Sequence, residues 1–206
     1  MKVGKPKLIF SDVPQLCPGG TVVCLAGGPS LTQADVDYCR GKATVIAIND
    51  AYKLAPWADV LYACDKRWWD WHKGVGSFTG LKYALQRPAL KWPGVRILQN
   101  TGPHGLELKR NGVRNGKNSG YQAMNVAVHL GAKRIVLLGY DMSIPQGGPS
   151  HWFGEHPIGG PPPVKSFRGM FRGLVKPLRE LGIEVVNCSR VTELDAFPCQ
   201  PLESVL

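Results

Sequence analysis

The chain alternates short apolar runs with segments whose apolar positions recur every three or four residues. A short, nearly continuous apolar run bounded by turn residues is typical of a strand buried on both faces, and the longer spacing is typical of a helix. The pattern predicts six strands at residues 21–26, 44–48, 60–63, 95–98, 134–138 and 184–186. It predicts three helices at residues 32–39, 119–130 and 166–181.

Strands that alternate with helices predict an α/β, Rossmann-like fold, a mostly parallel sheet with helices on both faces. The 206 residues fit a single domain. We expect its core over residues 21–188, with residues 1–20 and 189–206 as peripheral extensions. Ligands of such sheets bind beyond the carboxyl ends of the strands. Polar or glycine-rich segments follow the carboxyl ends of four predicted strands: Gly27-Gly28-Pro29-Ser30, Asn49-Asp50, Asp65 and Asp141.

The first of these segments follows the first predicted strand directly. Gly27 and Gly28 permit backbone angles closed to other residues and allow a ligand to approach the main chain. Ser30 or Thr32 can cap a helix that begins near Leu31, and free N–H groups at such an end favour phosphate. The segment therefore indicates an anion-binding turn, with a plain strand-to-helix connection as the alternative.

The charge balance supports an anionic partner. Lys and Arg number 25 against 15 Asp and Glu, which gives a net charge of +10. Such a balance favours a nucleotide, a phosphorylated sugar or nucleic acid, although a basic surface also aids solubility. The sequence has no membrane-length apolar run and no secretory leader pattern after Met1, so we expect a cytoplasmic protein. Its six cysteines form no CxxC motif, and we expect them to be reduced.

A second phosphate contact is predicted at the start of the helix at residues 119–130. The segment Gly116–Ser119 lacks the spacing of a phosphate-binding P-loop, because Asn111 stands where the first glycine belongs. We interpret it as a basic loop that meets a helix N-terminus, with a plain capped helix as the alternative. The residues expected to contact the ligand, or to complement its charge, are Arg114, Lys117, Asn118, Ser119 and Gly120.

Other candidates come from the remaining strand ends. Asn49, with Asp50 beside it, can hydrogen-bond a base, a ribose or a phosphate, although an Asx turn would use the same side chain. Asp65 or Asp141 can position an acceptor or hold Mg²⁺, and each can equally well cap or organise its loop. The sequence thus allows Mg²⁺ as a cofactor, with Asp65 or Asp141 as its ligand.

Two basic or histidine-containing segments complete the set. His151 lies in a Gly- and Pro-rich loop and can act as general acid or base near neutral pH. Trp152 and His156 are candidate ligand contacts in the same loop, and a zinc site formed by His151, Glu155 and His156 is a further alternative. Along the last helix a basic stripe is either a solvated face or a nucleic-acid surface, and its central members are Arg168, Arg172 and Lys176.

Several of these motifs, taken in order, resemble a known family. Gly27-Gly28-Pro29-Ser30-Leu31, Ile48-Asn49, Ser119-Gly120 and the segment from Leu130 to Asp141 resemble the MptE-like, 6-hydroxymethylpterin diphosphokinase-like family in a phage or bacterial form. The same layout is similar to that of bacterial sialyltransferases that use CMP-sialic acid. Those enzymes have Asn where this chain has Gly27, and the segment starting at Ser150 would correspond to the one that holds their histidine base.

The resemblance implies a nucleotide-dependent group transferase of diphosphokinase or glycosyltransferase type, in the cytoplasm of a bacterial or phage-infected cell. Gly27, Gly28, Ser30 and Ser119 would then hold phosphate, and Asn49 the base or ribose. His151 would serve as acid or base, with Asp65 or Asp141 positioning a metal or the acceptor. The alternative is a non-catalytic protein that binds a nucleotide or nucleic acid.

Overall fold

Eight parallel strands form one sheet in the computed structural model, which describes residues 9–85, 92–155 and 162–206. The order across the sheet is β6-β5-β4-β3-β2-β1-β7-β8. The strands are β1 Thr21–Leu25, β2 Thr44–Ile48, β3 Val60–Ala63, β4 Leu81–Leu85, β5 Val95–Asn100, β6 Gly112–Val113, β7 Arg134–Leu138 and β8 Glu184–Asn187. The predicted α/β fold is confirmed.

Four helices lie between the strands in the described part of the chain. They are α1 Gln33–Cys39, α2 Lys66–Trp71, α3 Ser119–His129 and α4 Val164–Glu180, with short 3-10 helices at Asn49–Lys53 and Leu202–Ser204. Helix α1 starts with a capping box, because the Thr32 hydroxyl accepts a hydrogen bond from the Asp35 N–H and the Asp35 carboxylate accepts one from the Thr32 N–H. Thr32, rather than Ser30, therefore caps this helix.

The sheet buries both of its faces. Side chains alternate along a strand, so β1 contributes Val22 and Cys24 to one core and Val23 and Leu25 to the other. Helices α3 and α4 cover the first face, and α1 and α2 cover the second. This double covering explains why the strands are almost wholly apolar.

The chain reverses its direction of winding beside β1. From β1 it proceeds outward through β2 to β6, and it then returns to pair β7 with the other side of β1. In an open parallel sheet such a switch point opens a crevice at the carboxyl ends of the two strands, because the connections leave in opposite directions. The fold therefore places a crevice beyond Leu25 and Leu138.

Both predicted extensions contribute to the core. Val13 is fully buried near the N-terminus, and Leu194, Phe197 and Leu202 are buried near the C-terminus. Among the described residues, no helix combines the length and the apolar character needed to cross a membrane.

Candidate functional site

A cleft of about 710 Å³, its open mouth included, lies at the switch point. It is bounded by the carboxyl ends of β1, β2 and β7 and by the first residues of α3. Ten of the residues singled out from the sequence line it: Gly27, Gly28, Pro29, Asn49, Asp50, Asn118, Ser119, Gly120, Asp141 and His151. Residues up to 124 positions apart in the chain are thus brought to one place, which follows from the parallel sheet.

The remaining candidates lie elsewhere. Ser30, Asp65, Lys117 and Trp152 are not among the described residues that line the cleft, and His156 falls outside the described part of the chain. Asp65 precedes α2 beyond β3 and is exposed. Within residues 9–85, 92–155 and 162–206, no three His, Cys, Asp or Glu side chains come together as a metal site.

The glycine turn after β1 is fastened to the end of β7. The Gly28 N–H donates to the Gly139 carbonyl at 2.9 Å. The backbone N–H and the hydroxyl of Ser30 each donate to one carboxylate oxygen of Asp141, both at 2.7 Å. Asp141 is only 2 % exposed, and burial raises the pKa of its carboxyl group, although the hydrogen bonds from Ser30 act in the opposite direction. Both Asp141 oxygens therefore hold the turn.

Two substitutions of Asp141 test whether its hydrogen bonds to Ser30 anchor the glycine turn. In Asp141→Asn the amide oxygen can still accept from the Ser30 N–H while its NH₂ donates to the hydroxyl, so we expect stability within about 1 kcal/mol of wild type. Asp141→Ala leaves both Ser30 donors without a partner and should cost about 2–3 kcal/mol. Urea unfolding of both variants measures the difference.

The pH dependence of stability, compared between wild type and Asp141→Asn, provides the control. Because the pKa of Asp141 is raised in the native state, the native protein binds the proton more tightly than the unfolded chain does. Wild type should therefore lose stability relative to Asp141→Asn as pH rises from near the ordinary value of 3.8 through the raised pKa. An Asn variant as unstable as the Ala variant at all pH values would contradict the anchoring role.

Backbone strain surrounds the cleft. Asn49 has φ 51°, Lys117 has φ 56° and Met142 has φ 50°, all in the left-handed region. Asn49 and Met142 line the cleft, and Lys117 immediately precedes the residue that caps α3. Asn tolerates this conformation better than most residues. Left-handed non-glycine residues cost free energy and are concentrated at ligand sites, so their grouping here supports a functional interpretation of the cleft.

Asp50 lines the cleft, but its carboxylate is hydrogen-bonded to residues that do not line it. It accepts hydrogen bonds from Lys53 Nζ at 2.6 Å and Trp68 Nε1 at 2.9 Å, and His72 Nε2 lies 3.4 Å away. Burial alone would raise the pKa of Asp50, but the hydrogen bonds from Lys53 and Trp68 outweigh it and hold the pKa below its usual value. Asp50 is therefore an ionised anchor for the turn that carries Asn49.

Helix α3 begins at the cleft wall. The Asn118 side chain caps it by accepting from the Tyr121 N–H at 3.1 Å. The Ser119 hydroxyl donates to Cys64 Sγ at 3.1 Å, and burial raises the pKa of that thiol to about 12, which keeps it neutral. The first N–H groups of a helix lack an intrahelical acceptor, and both Ser119 and Gly120 line the cleft. The start of α3 can therefore bind an anion.

The cations predicted to assist at this helix start lie elsewhere. Arg114 donates to the Thr101 carbonyl and lies 3.6 Å from a Glu107 oxygen, and Lys117 is exposed. No Lys or Arg occurs among the described residues that line the cleft. An anion there would be bound by backbone N–H groups, Asn and Ser side chains and His151.

His151 lies directly against the glycine turn. Its segment is attached by a hydrogen bond from the Trp152 N–H to the Gly27 carbonyl at 3.2 Å. The His151 ring stacks on Phe153, with centroids 4.9 Å apart and planes inclined by 16°. A Cβ on Gly27 would lie 3.2 Å from His151 Cδ2, closer than ordinary van der Waals contact. Gly27 therefore allows the imidazole to approach the turn, which a larger residue would hinder.

Several lining residues were not predicted from the sequence. Met142, Phe153, Pro162, Val164 and Phe167 form an apolar wall that includes the first turn of α4. Helix α4 is amphipathic, and most of its apolar side chains pack in the core. Only the fold shows that the start of this helix reaches the cleft. These residues give the cleft an apolar part of its lining in addition to its hydrogen-bonding groups.

The basic stripe of α4 is largely neutralised by acidic side chains. Arg168 pairs with Glu193, Arg172 with Asp195 at 2.7 Å, and Lys176 lies 3.8 Å from Glu180. Exposed pairs of this kind are weak, but they lower the positive potential that would attract nucleic acid. Nucleic-acid binding by this face stays a prediction.

Comparison with known proteins returned no match among family models, curated proteins or solved structures. The function must therefore be inferred from the cleft itself. Its lining combines a glycine turn, a helix start, a strained Asn and a histidine with several apolar side chains. A helix start can bind an anionic group, and apolar side chains can pack against a ring.

Proposed function

We propose that the chain is a nucleotide-dependent group transferase whose donor binds in the cleft at the carboxyl ends of β1, β2 and β7. The observation that carries the proposal is the convergence of the Gly27-Gly28 turn, Asn49, the start of α3 and His151 around one crevice. The N–H groups of Ser119 and Gly120 at the start of α3 would bind the phosphate, and the glycine turn would allow it to approach closely. Asn49 would hydrogen-bond the base or ribose.

His151 would supply the acid–base step. It lies beside the turn that would hold the phosphate, and an imidazole can take a proton from an acceptor hydroxyl near neutral pH. The apolar wall would bury the nonionic part of the donor or acceptor and exclude water. The site would act chiefly by orienting the reactants and by stabilising charge on phosphate oxygens.

Two forms of transfer remain candidates, and the carboxylates favour one of them. Each oxygen of Asp141 accepts a hydrogen bond from Ser30, which leaves it one lone pair for a metal, and the ammonium of Lys53, 2.6 Å from Asp50, would repel Mg²⁺ there. This arrangement favours a glycosyl-type transfer that depends on His151. Transfer of a diphosphoryl group with Mg²⁺ held by Asp141 is the second candidate; Asp65, the other predicted metal ligand, is exposed and does not line the cleft.

A thermal-shift screen tests the proposal. Nucleoside mono-, di- and triphosphates and sugar nucleotides are each added with Mg²⁺ or with EDTA, and free nucleosides and inorganic phosphate serve as controls. A true donor at about 100 times its Kd should stabilise the protein by about 2.7 kcal/mol, which raises the melting temperature by roughly 5–10 °C. We expect a sugar nucleotide to act in EDTA. Stabilisation only by a triphosphate with Mg²⁺ would favour the second candidate, and no stabilisation by any compound would refute nucleotide binding.

A further inference from the structure

A hydrogen-bonded network lies behind the cleft wall and connects helix α2 to the turn that carries Asn49. The 3-10 helix at Asn49–Lys53 begins with Asn49 in the left-handed region and has no side-chain cap at Ile48. An Asn freed from constraint would favour other backbone angles. Some other contact must therefore hold the turn in this conformation, and the next residue, Asp50, makes that contact.

Besides Lys53 of the same 3-10 helix, whose Nζ lies 2.6 Å from one carboxylate oxygen, the partners of Asp50 come from α2 and from His72, which caps it. Trp68 Nε1 donates to one carboxylate oxygen, and His72 Nε2 lies 3.4 Å from the other. The second ring nitrogen of His72, Nδ1, lies 3.1 Å from the Tyr52 hydroxyl. His72 thus bridges two residues of the same 3-10 helix. Its ring also packs on Trp68, with centroids 4.3 Å apart.

The chain that follows His72 is itself held under strain. Lys73, Gly74 and Val75 have φ values of 50°, 71° and 45°, and a left-handed β-branched residue such as Val75 is rare. The ammonium of Lys82, a residue only 8 % exposed, donates to the Gly74 and Val75 carbonyls at 3.1 and 3.2 Å. A strained backbone persists only where neighbouring groups hold it in place. Here the hydrogen bonds from Lys82 hold the segment after His72, and they therefore help to fix the position of His72.

We propose that Asp50 and His72 are positioning residues that hold Asn49 in its left-handed conformation and so set its amide at the cleft wall. The ligand-binding part of this inference rests on the proposed function, whereas the conformational part does not. A preformed Asn49 would spare the ligand the cost of ordering the turn, which increases affinity. Lys82 and residues 73–75 act one step further back, by fixing His72.

The test compares variants of His72 that differ in hydrogen bonding. His72→Phe keeps a ring against Trp68 but removes both hydrogen-bonding nitrogens, whereas the side chain of His72→Gln can still donate to Asp50. Asp50→Asn removes the charge with almost no change in shape. Lys66→Gln, which breaks only an exposed ion pair with Asp70 on the same helix, is the matched control.

Two measurements are made on each variant. In the ligand-free protein, the ¹³Cα and ¹³Cβ shifts and the HN–Hα coupling of Asn49 report its backbone conformation. Calorimetric titration with the compound selected by the thermal-shift screen reports affinity. We expect His72→Phe and Asp50→Asn to move Asn49 out of the left-handed region and to weaken binding by roughly ten- to hundredfold. His72→Gln should remain much closer to wild type, and Lys66→Gln should match it.

The outcomes separate this inference from the proposed function. If Asn49 keeps its wild-type shifts in both His72→Phe and Asp50→Asn, the positioning role is wrong, whatever binds. If the shifts change but affinity does not, Asn49 has no role in binding and the ligand part is wrong. If no compound binds wild type, the proposed function fails, and the shifts alone decide the conformational part. Should His72→Phe fail to fold, Asp50→Asn and His72→Gln carry the comparison.

Discussion

Replacing Gly28 with alanine is expected to destabilise the protein by about 2–3 kcal/mol and to abolish ligand binding. A Cβ at this position would lie 2.3 Å from Asp141 Oδ1 and 2.5 Å from the Gly139 carbonyl oxygen. Atoms do not approach so closely, and the carbonyl belongs to backbone that cannot rotate away as a flexible side chain can. The turn would have to leave β7, and the bonds between Ser30 and Asp141 would break with it.

A second glycine provides the control for this prediction. Gly76 has no atom within 4 Å of the position that its Cβ would occupy, and its φ lies outside the left-handed region. Gly76→Ala should therefore unfold within about 0.5 kcal/mol of wild type in urea. Equal midpoints for the two variants would show that the tight contact between the glycine turn and β7 does not exist.

Replacing His151 is expected to have the largest effect on catalysis. Under the proposed mechanism, His151→Ala removes the acid–base group, and removal of such a group lowers the rate by about 10²–10⁴-fold. The donor itself should still bind within a few-fold of wild type, because the N–H groups at the start of α3 remain in place to hold its phosphate. The expected result is thus a loss of kcat with a nearly unchanged Kd.

The measurement is donor turnover in EDTA with the sugar nucleotide that stabilises the protein, followed by calorimetry on the same samples. His104→Ala is the control, since His104 is exposed and is not one of the residues that line the cleft. A His151→Ala enzyme with wild-type kcat would remove His151 from the mechanism. A parallel loss of binding and turnover would instead indicate that His151 contacts the donor in its ground state.

The strands at the centre of the sheet could be predicted because burial on both faces leaves an unmistakable pattern. The predicted bounds of β2, β3 and β7 agree with the structure, and those of β1 and β8 differ by one residue. Strand β4 was missed because Lys82 and Tyr83 interrupt its apolar run. Lys82 can be buried in the sheet because its ammonium donates hydrogen bonds to two backbone carbonyls, those of Gly74 and Val75. The sequence around Lys82 does not reveal this contact.

The short elements were missed for a different reason. Strand β6 has two residues and helix α2 has six, too few for any periodicity to develop. In α2 the composition was nevertheless informative, since three tryptophans in four positions cannot all face one side of a helix, which predicts that at least one is exposed or at an interface. Trp68 and Trp69 are buried and Trp71 is 57 % exposed. The network from His72 to Asp50 depends on this unassigned helix and could not be anticipated.

Membership of the cleft was easier to predict than the role of each residue. Strand ends of a parallel sheet meet at one edge, so polar residues that follow them could be grouped without a structure. Their hydrogen-bond partners could not, because these come from distant segments. Asp141 is engaged by Ser30 from 111 positions away, and Asp50 by Trp68 from the next strand connection. Both acids serve as anchors within the protein, a role that their positions alone do not distinguish from metal or acceptor binding.

The most direct test of the cleft as the binding site is a titration of ¹⁵N-labelled wild-type protein with the compound that gives the largest thermal shift. We expect the largest amide shift changes at Gly27, Gly28, Asn49, Ser119 and Gly120. The amides of a separate cavity, lined by Cys188, Arg190 and Cys199, and those of the basic face of α4 should remain unchanged. Shift changes confined to that cavity or to α4, with the cleft residues unmoved, would contradict binding in the cleft.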